Sequence, residues 1–265
     1  MPRRFLTRLV PLVLALTAGT ASADALDDIL ERGTIRVGVS EFVPWTMKTA
    51  TGDLVGFEID VAKRIASDMG VKPDIRLYEW DEIIPALRKG EIDVIAGGMV
   101  MTAERALQVN FTRPTGQSGI GIATNTEMTK DITSFAELNA PEIVVATVGE
   151  TYAASVAEMF FNNASVNTFK TVEKAEEQIL EGRAHVYLAG MVEVRFLALR
   201  HPDTIDVPVA EPLVAQSEGL AVARGEQELL NFLNTWVTAR QTDKWLATTR
   251  DYWFESMTWA LNPEE

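Results

Sequence analysis

Gly90-Glu91-Ile92-Asp93-Val94-Ile95-Ala96-Gly97-Gly98-Met99-Val100-Met101-Thr102-Ala103-Glu104-Arg105 is the stretch on which the fold turns. Residues 92–95 form a short apolar, β-branched run that reads as a buried strand. The run enters two glycines, which allow a sharp turn or a close backbone approach. Thr102 is then a good N-cap for a helix starting near residue 103. Upstream the alternation continues. Residues 34–40 alternate as a strand. Gly56 precedes a helical face made of Ile59, Val61, Ala62, Ile65, Ala66 and Met69, with Gly70 where a C-cap belongs. Residues 74–77 read as a strand, and residues 83–87 as a helix stopped by Lys89-Gly90. Strand, helix, strand, helix, strand is the signature of a parallel sheet covered on both faces, so the class is α/β.

The pattern then repeats downstream. Residues 143–148 read as a strand, Gly149 as a turn, and 151–160 as a helix. Strands at 166–169 and 185–189 alternate with helices at 172–180 and 191–199. Residues 111–122 and 208–222 are extended crossings between the two units, which implies a hinge. The helical tail from 227 to 253 is expected to return to the first unit. The expected lobes are therefore 24–115 with 211–265, and 116–210.

At the N-terminus, Arg3, Arg4 and Arg8 precede an apolar run over residues 9–16, too short to span a bilayer. Ala21-Ser22-Ala23 supplies small residues for cleavage before Asp24, so residues 1–23 read as a signal peptide and the chain as exported. Cysteine is absent, which removes disulfide and thiolate chemistry, and a core of this size does not need staples. The formal charge is −14, and loss of the leader, with three arginines and no acid, brings it to −17. Nucleic acid is excluded as a partner, since no basic patch could displace counterions from phosphate. His185 and His201 are the only histidines, without spacing for a shared metal ion, and no cofactor is expected.

Three features point to ligand binding rather than catalysis. Gly98, Met99, Val100 and the helix carrying Arg105 form one strand-to-helix junction. Its N–H groups and guanidinium suit a carboxylate. Gly149 and Thr151 form a second such junction in the other unit, and ligands of open α/β sheets sit at the carboxyl ends of strands. Phe42, Trp45 and Trp80 follow strand ends and could wall an aliphatic stem or stack on a cation. Each feature alone also fits ordinary capping or core packing, and Trp45 fits a core position as well as a wall.

Together, Ile35-Arg36-Val37-Gly38-Val39, Pro44-Trp45, Leu54-Val55-Gly56-Phe57-Glu58-Ile59-Asp60-Val61-Ala62 and Trp80-Asp81-Glu82-Ile83-Ile84-Pro85-Ala86-Leu87 precede the opening stretch in order. Val109-Asn110-Phe111-Thr112-Arg113-Pro114 follows it. This series resembles the bacterial extracellular solute-binding proteins of family 3, the polar amino-acid binders of ABC importers. The resemblance implies a two-lobe periplasmic binding protein fold of type II, each lobe a mostly parallel sheet flanked by helices, joined by a two-strand hinge. It implies a monomer in the periplasm that shuts on a small carboxylate and docks on an ABC transporter permease. By the same resemblance Arg105 holds the ligand carboxylate, the backbone at Gly98 and Val100 and the Thr151 hydroxyl assist, and Phe42 and Trp80 sandwich the side chain. Two positions depart from the family. Val100 replaces a usual hydroxyl residue, and Gly190 stands where the family has an ammonium-binding Asp. Glu41 and Glu193 are the nearest acids that could substitute; failing them, the ligand lacks a primary α-amine. Two other readings are a dehydratase on the same fold, for which Gly190 again removes the expected acid, and a ligand-sensing subunit.

Overall fold

Thr34–Val39 carries Ile35, Val37 and Val39 into the interior, each fully buried, and its flanks are pinned from both sides. It pairs in parallel with Lys72–Leu77 on one edge and with Val94–Ile95 on the other. The computed structural model describes residues 25–256 and Trp259, so the leader read over residues 1–23 lies outside the described residues. In the first sheet the strand order is Lys72–Leu77, Thr34–Val39, Val94–Ile95, Ala221–Val222, Asn110–Phe111. Helix Phe57–Met69 covers one face and Trp80–Arg88 the other. The first ends as its sequence dictates, with Gly70 left-handed at φ 73° and Val71 N–H returning to the Ala66 carbonyl.

The second sheet runs Ile205–Asp206, Gly116–Asn125, Val186–Gly190, Val144–Val148, Ser165–Phe169, and Val214–Glu218 also pairs with Gly116–Asn125. Within each sheet the strands fed by helices are parallel, whereas the antiparallel pairings all involve strands of the crossings or the short Ile205–Asp206. A crossing strand enters from the other lobe, so it runs against its neighbours. The boundary expected at 211 falls before Val214–Glu218, whose hydrogen bonds are made with the second sheet. An isolated bridge between Val100 and Glu218 then ties that strand to the first lobe.

The tail returns to the first lobe in pieces rather than as one helix. Gln227–Thr242 stops where Lys244 turns left-handed at φ 64°, and Trp245–Arg250 leads into a π-turn at Asp251–Ser256. Leu233, Trp236, Leu246, Trp253 and Phe254 share one core with Val37 and Ile59. Among the described residues no helix is long and apolar enough to cross a membrane.

Candidate functional site

The opening stretch builds one jaw of a cleft. Beyond Val94–Ile95 the chain turns at Gly98, left-handed at φ 61°, where a Cβ would come within 2.5 Å of Trp45 Nε1. Only glycine fits there. Its N–H donates to Glu58 Oε1 at 2.9 Å, so the backbone donor expected to serve a ligand is already committed to a buried carboxyl. Val100 lies in the bridge to Glu218, whose hydrogen bonds are made by Met99, Met101 and their partners; its carbonyl accepts from Arg105 Nη1 at 3.0 Å. Met99 does not line the cavity. Its side chain, 1% exposed, packs with Ile83, Leu87 and Ile95, because successive residues of an extended segment face opposite ways.

The helix expected after Thr102 is one turn, Ala103–Ala106. It is too short for a macrodipole to matter. The anion-holding group is therefore the Arg105 side chain itself. Thr102 Oγ1 accepts from Arg105 N–H at 3.1 Å and fixes the turn. The Arg105 guanidinium lies over the Trp80 ring, 5.4 Å from its centroid, and burial lowers its pKa. Its Nη2 reaches across the cleft to the Glu150 carbonyl at 3.1 Å.

The second jaw begins at the end of Val144–Val148. Thr151 caps helix Tyr152–Phe160: its hydroxyl donates to the Val148 carbonyl at 2.7 Å and accepts from Ala154 N–H at 3.2 Å. Gly149 stays behind the wall, donating to the Phe169 carbonyl, and does not line the cavity. Glu150, beside it, meets the first jaw instead. Held left-handed at φ 59°, it presents its carbonyl to both Arg105 and Trp80 Nε1, the latter at 3.1 Å.

Between the jaws lies a cavity of about 200 Å³, lined by Phe42, Trp45, Trp80, Arg105, Thr151 and Gly190 among others. Phe42 and Trp45 stack at 4.6 Å between centroids. Trp45 is both things the sequence allowed, a core residue 1% exposed and a wall of the cavity. The two acids proposed from sequence differ sharply. Glu41 pairs with Lys48 at 2.7 Å at the half-exposed mouth. Glu193 is 3% exposed; its Oε1 accepts from the Tyr187 hydroxyl, and burial pushes its carboxyl up to about 8. His185 is structural, Nδ1 accepting from Val144 N–H at 3.1 Å, with burial lowering its pKa.

Sequence reading missed Ser40, Gln216 and Glu218, all lining the cavity. Ser40 Oγ and Gln216 Oε1 are buried without partners. Glu218, 1% exposed, accepts from Trp45 Nε1 at 3.2 Å and lies 3.5 Å from Arg250; burial raises its pKa. The available signal was polar residues at 216 and 218, two apart on one face of a returning strand. The cavity thus offers a cation at Arg105 and oxygens elsewhere, which suits a small molecule with an anionic end and N–H donors.

Residues 35–256 match the bacterial extracellular solute-binding proteins, family 3. The chain belongs to that family. This family 3 protein is 25% identical over 249 residues to the L-cystine-binding protein TcyJ of Escherichia coli (strain K12), covering 92% of each chain. Among solved structures, it matches an ancestral amino acid-binding protein described as a precursor of cyclohexadienyl dehydratase, at TM-score 0.79 and 32% identity, over 88% of this chain and all of that one. The binding component of an ABC transporter from Wolinella succinogenes, complexed with lysine, matches at TM-score 0.81 and 29% identity, over 87% of this chain and all of that one. The α/β fold of two lobes expected from sequence is the fold of these structures.

Proposed function

We propose that this family 3 protein is the capturing component of an ABC importer, closing its two lobes on an amino acid or a related small carboxylate. The observation that carries the reading is Arg105. A half-buried cation stacked on Trp80, touching both lobes and lining the cavity, calls for an anion of matching planar geometry. A carboxylate would take the guanidinium's remaining donors and Thr151 would contact it from the other jaw, while Phe42, Trp45 and Trp80 enclose the stem. The ligands named for the relatives, cystine and lysine, belong to this chemical class. We read the protein as a carrier without turnover, a monomer delivered to the periplasm by its leader and docking there on a membrane permease.

The test is a thermal-shift panel on the purified protein containing the twenty standard L-amino acids, L-cystine, glycine betaine, ectoine and small organic acids. At least one carboxylate is expected to raise the melting temperature, because a ligand that binds only the native state must do so. The same compound is expected to shrink the radius of gyration in small-angle scattering. A tight ligand that causes no compaction sinks the closure mechanism. Turnover of prephenate would establish the dehydratase reading in its place.

A further inference from the structure

Nothing steric requires glycine at 190. Its backbone φ is −58°, and a Cβ there would lie 3.6 Å from Trp45 Cη2, 3.9 Å from Phe42 Cζ and 4.0 Å from Glu193 Oε2, all ordinary contacts. The space a side chain at 190 would enter is therefore bounded by the aromatic wall on one side and by the Glu193 carboxyl on the other. Glu193 sits in the first turn of helix Met191–Arg200, directly after strand Val186–Gly190. Its Oε1 is held by the Tyr187 hydroxyl, and its Oε2 is buried without a partner. Among the described residues lining the cavity, it alone is an acid with such an oxygen. Glu41 is engaged by Lys48 at the mouth, and Glu218 by Trp45 and Arg250. Glu58 also has an unpartnered oxygen but does not line the cavity. A buried carboxyl oxygen left without a donor is costly, and this one belongs to a residue that lines the cavity.

We infer that Glu193, reaching the space left open by Gly190, receives a primary ammonium of the ligand and gives up its own proton as the ligand enters. This rests on reading the cleft as the ligand site with the carboxylate at Arg105. In the empty cleft Glu193 is a neutral acid hydrogen-bonded to Tyr187. The ammonium enters, the carboxyl proton leaves to solvent, and a carboxylate–ammonium pair replaces the acid. The groups around Glu193 support this order. Burial holds the proton on at neutral pH, pushing the carboxyl up to about 8. Glu176 adds to that, while the Tyr187 hydroxyl, the Gly190 N–H and Arg200 oppose it. Glu176 and Arg200 are paired with each other at 2.8 Å on neighbouring helices, and the first lobe faces the site with Phe42 and Trp45. Among the described residues no cation is paired with the Glu193 carboxyl, and Arg105 is kept for the ligand carboxylate, so the neutralising charge at Glu193 is the ligand's. Capture is then coupled to proton release, and affinity falls roughly tenfold for each pH unit below pH 8.

The experiment is isothermal calorimetry on the purified full chain with the twenty standard L-amino acids, L-ornithine, L-cystine and glycine betaine. Binders are titrated between pH 6 and 9, and at pH 7 in both phosphate and Tris, whose ionisation enthalpies differ. The expected result is a primary-amine ligand that releases close to one proton on binding. Glu193→Gln should weaken it roughly 30-fold or more and abolish both the pH slope and the proton release. Gly190→Asp in the Glu193→Gln background should restore most of the affinity, which a merely structural defect would not allow. Binding by Glu193→Gln within threefold of wild type overturns the assignment, as does wild-type binding without proton release, which decides the matter even if Glu193→Gln does not fold. Binding confined to glycine betaine overturns the ammonium site but leaves carboxylate capture intact. No binder at all overturns the carboxylate-capture reading itself.

Discussion

The two jaws are written in nearly the same sequence language and do different work. Each runs from a buried strand through glycine to a hydroxyl cap, Thr102 in one and Thr151 in the other, and each lobe keeps a buried glutamate nearby, Glu58 and Glu193. In the first jaw the cap closes a single turn whose product is the position of Arg105. In the second it starts a nine-residue helix whose cap, Thr151, itself lines the cavity, while the Glu150 carbonyl is taken up by Arg105 and Trp80. The glutamates differ likewise. Glu58 braces Gly98 and does not line the cavity, whereas Glu193 does. Capping chemistry is shared by helices that bind ligands and helices that only pack, so the surroundings decide which of the two a junction becomes.

Four measurements would break or sharpen this contrast. The largest effect is expected at Arg105. Arg105→Ala should cost about 4 kcal/mol of ligand binding, roughly a thousandfold, because the carboxylate end would be left buried and unpaired. A loss of less than tenfold in calorimetry refutes the carboxylate clamp.

Next is the bracing acid of the first jaw. Burial pushes Glu58 up to about 7 from an ordinary 4.5. The folded state therefore holds a proton that the unfolded chain releases. Its contribution to stability is complete below about pH 4.5 and is lost as pH rises to about 7, amounting to about 3 kcal/mol. Glu58→Gln keeps an acceptor for the Gly98 N–H but cannot ionise. Its urea-unfolding stability should lack that part of the decline seen in wild type over this window; a parallel decline in the variant refutes the assignment.

The glycines come third. Gly98→Ala should destabilise by about 2 kcal/mol, since φ is left-handed and the new Cβ would strike Trp45. Gly149→Ala should cost well under about 1 kcal/mol, because its nearest neighbours would be 3.5 Å away or more. Equal losses in thermal unfolding would mean that the two junctions are alike after all.

Smallest are the caps. Thr151→Ala should lower stability by about 1 kcal/mol through the helix it starts. Thr102→Ala should lower stability less and weaken ligand binding instead, by loosening Arg105. Melting curves and calorimetry on the pair separate the two roles.

Much of this was legible because it is local. The left-handed Gly70, the helix Phe57–Met69 and the Thr102 and Thr151 caps follow from residues within a turn of one another. The alternation of strand and helix is local as well, and it set the two α/β lobes. What could not be read were contacts between distant segments. Glu218 meets Trp45 and Arg250 only because the return strand pairs with residues 116–120 about a hundred positions earlier. Glu150 ties the second jaw to the first because one backbone dihedral, φ 59°, turns its carbonyl toward Arg105 and Trp80. Met99 and Val100 could not be sorted between core and cavity without knowing which way the segment after Gly98 faces.

The sequence by itself determined the α/β class, the two units with their crossings, and Arg105 with its aromatic neighbours, since hydrophobic period, glycine position and residue type carry that information. It also flagged Gly190 as an anomaly and left Glu41 and Glu193 as equal candidates. Only the tertiary structure distinguished them. Burial and partnering arise from packing across the chain, and they place Glu41 in a solvated ion pair and Glu193 in a dry wall beside Gly190 with one oxygen unclaimed.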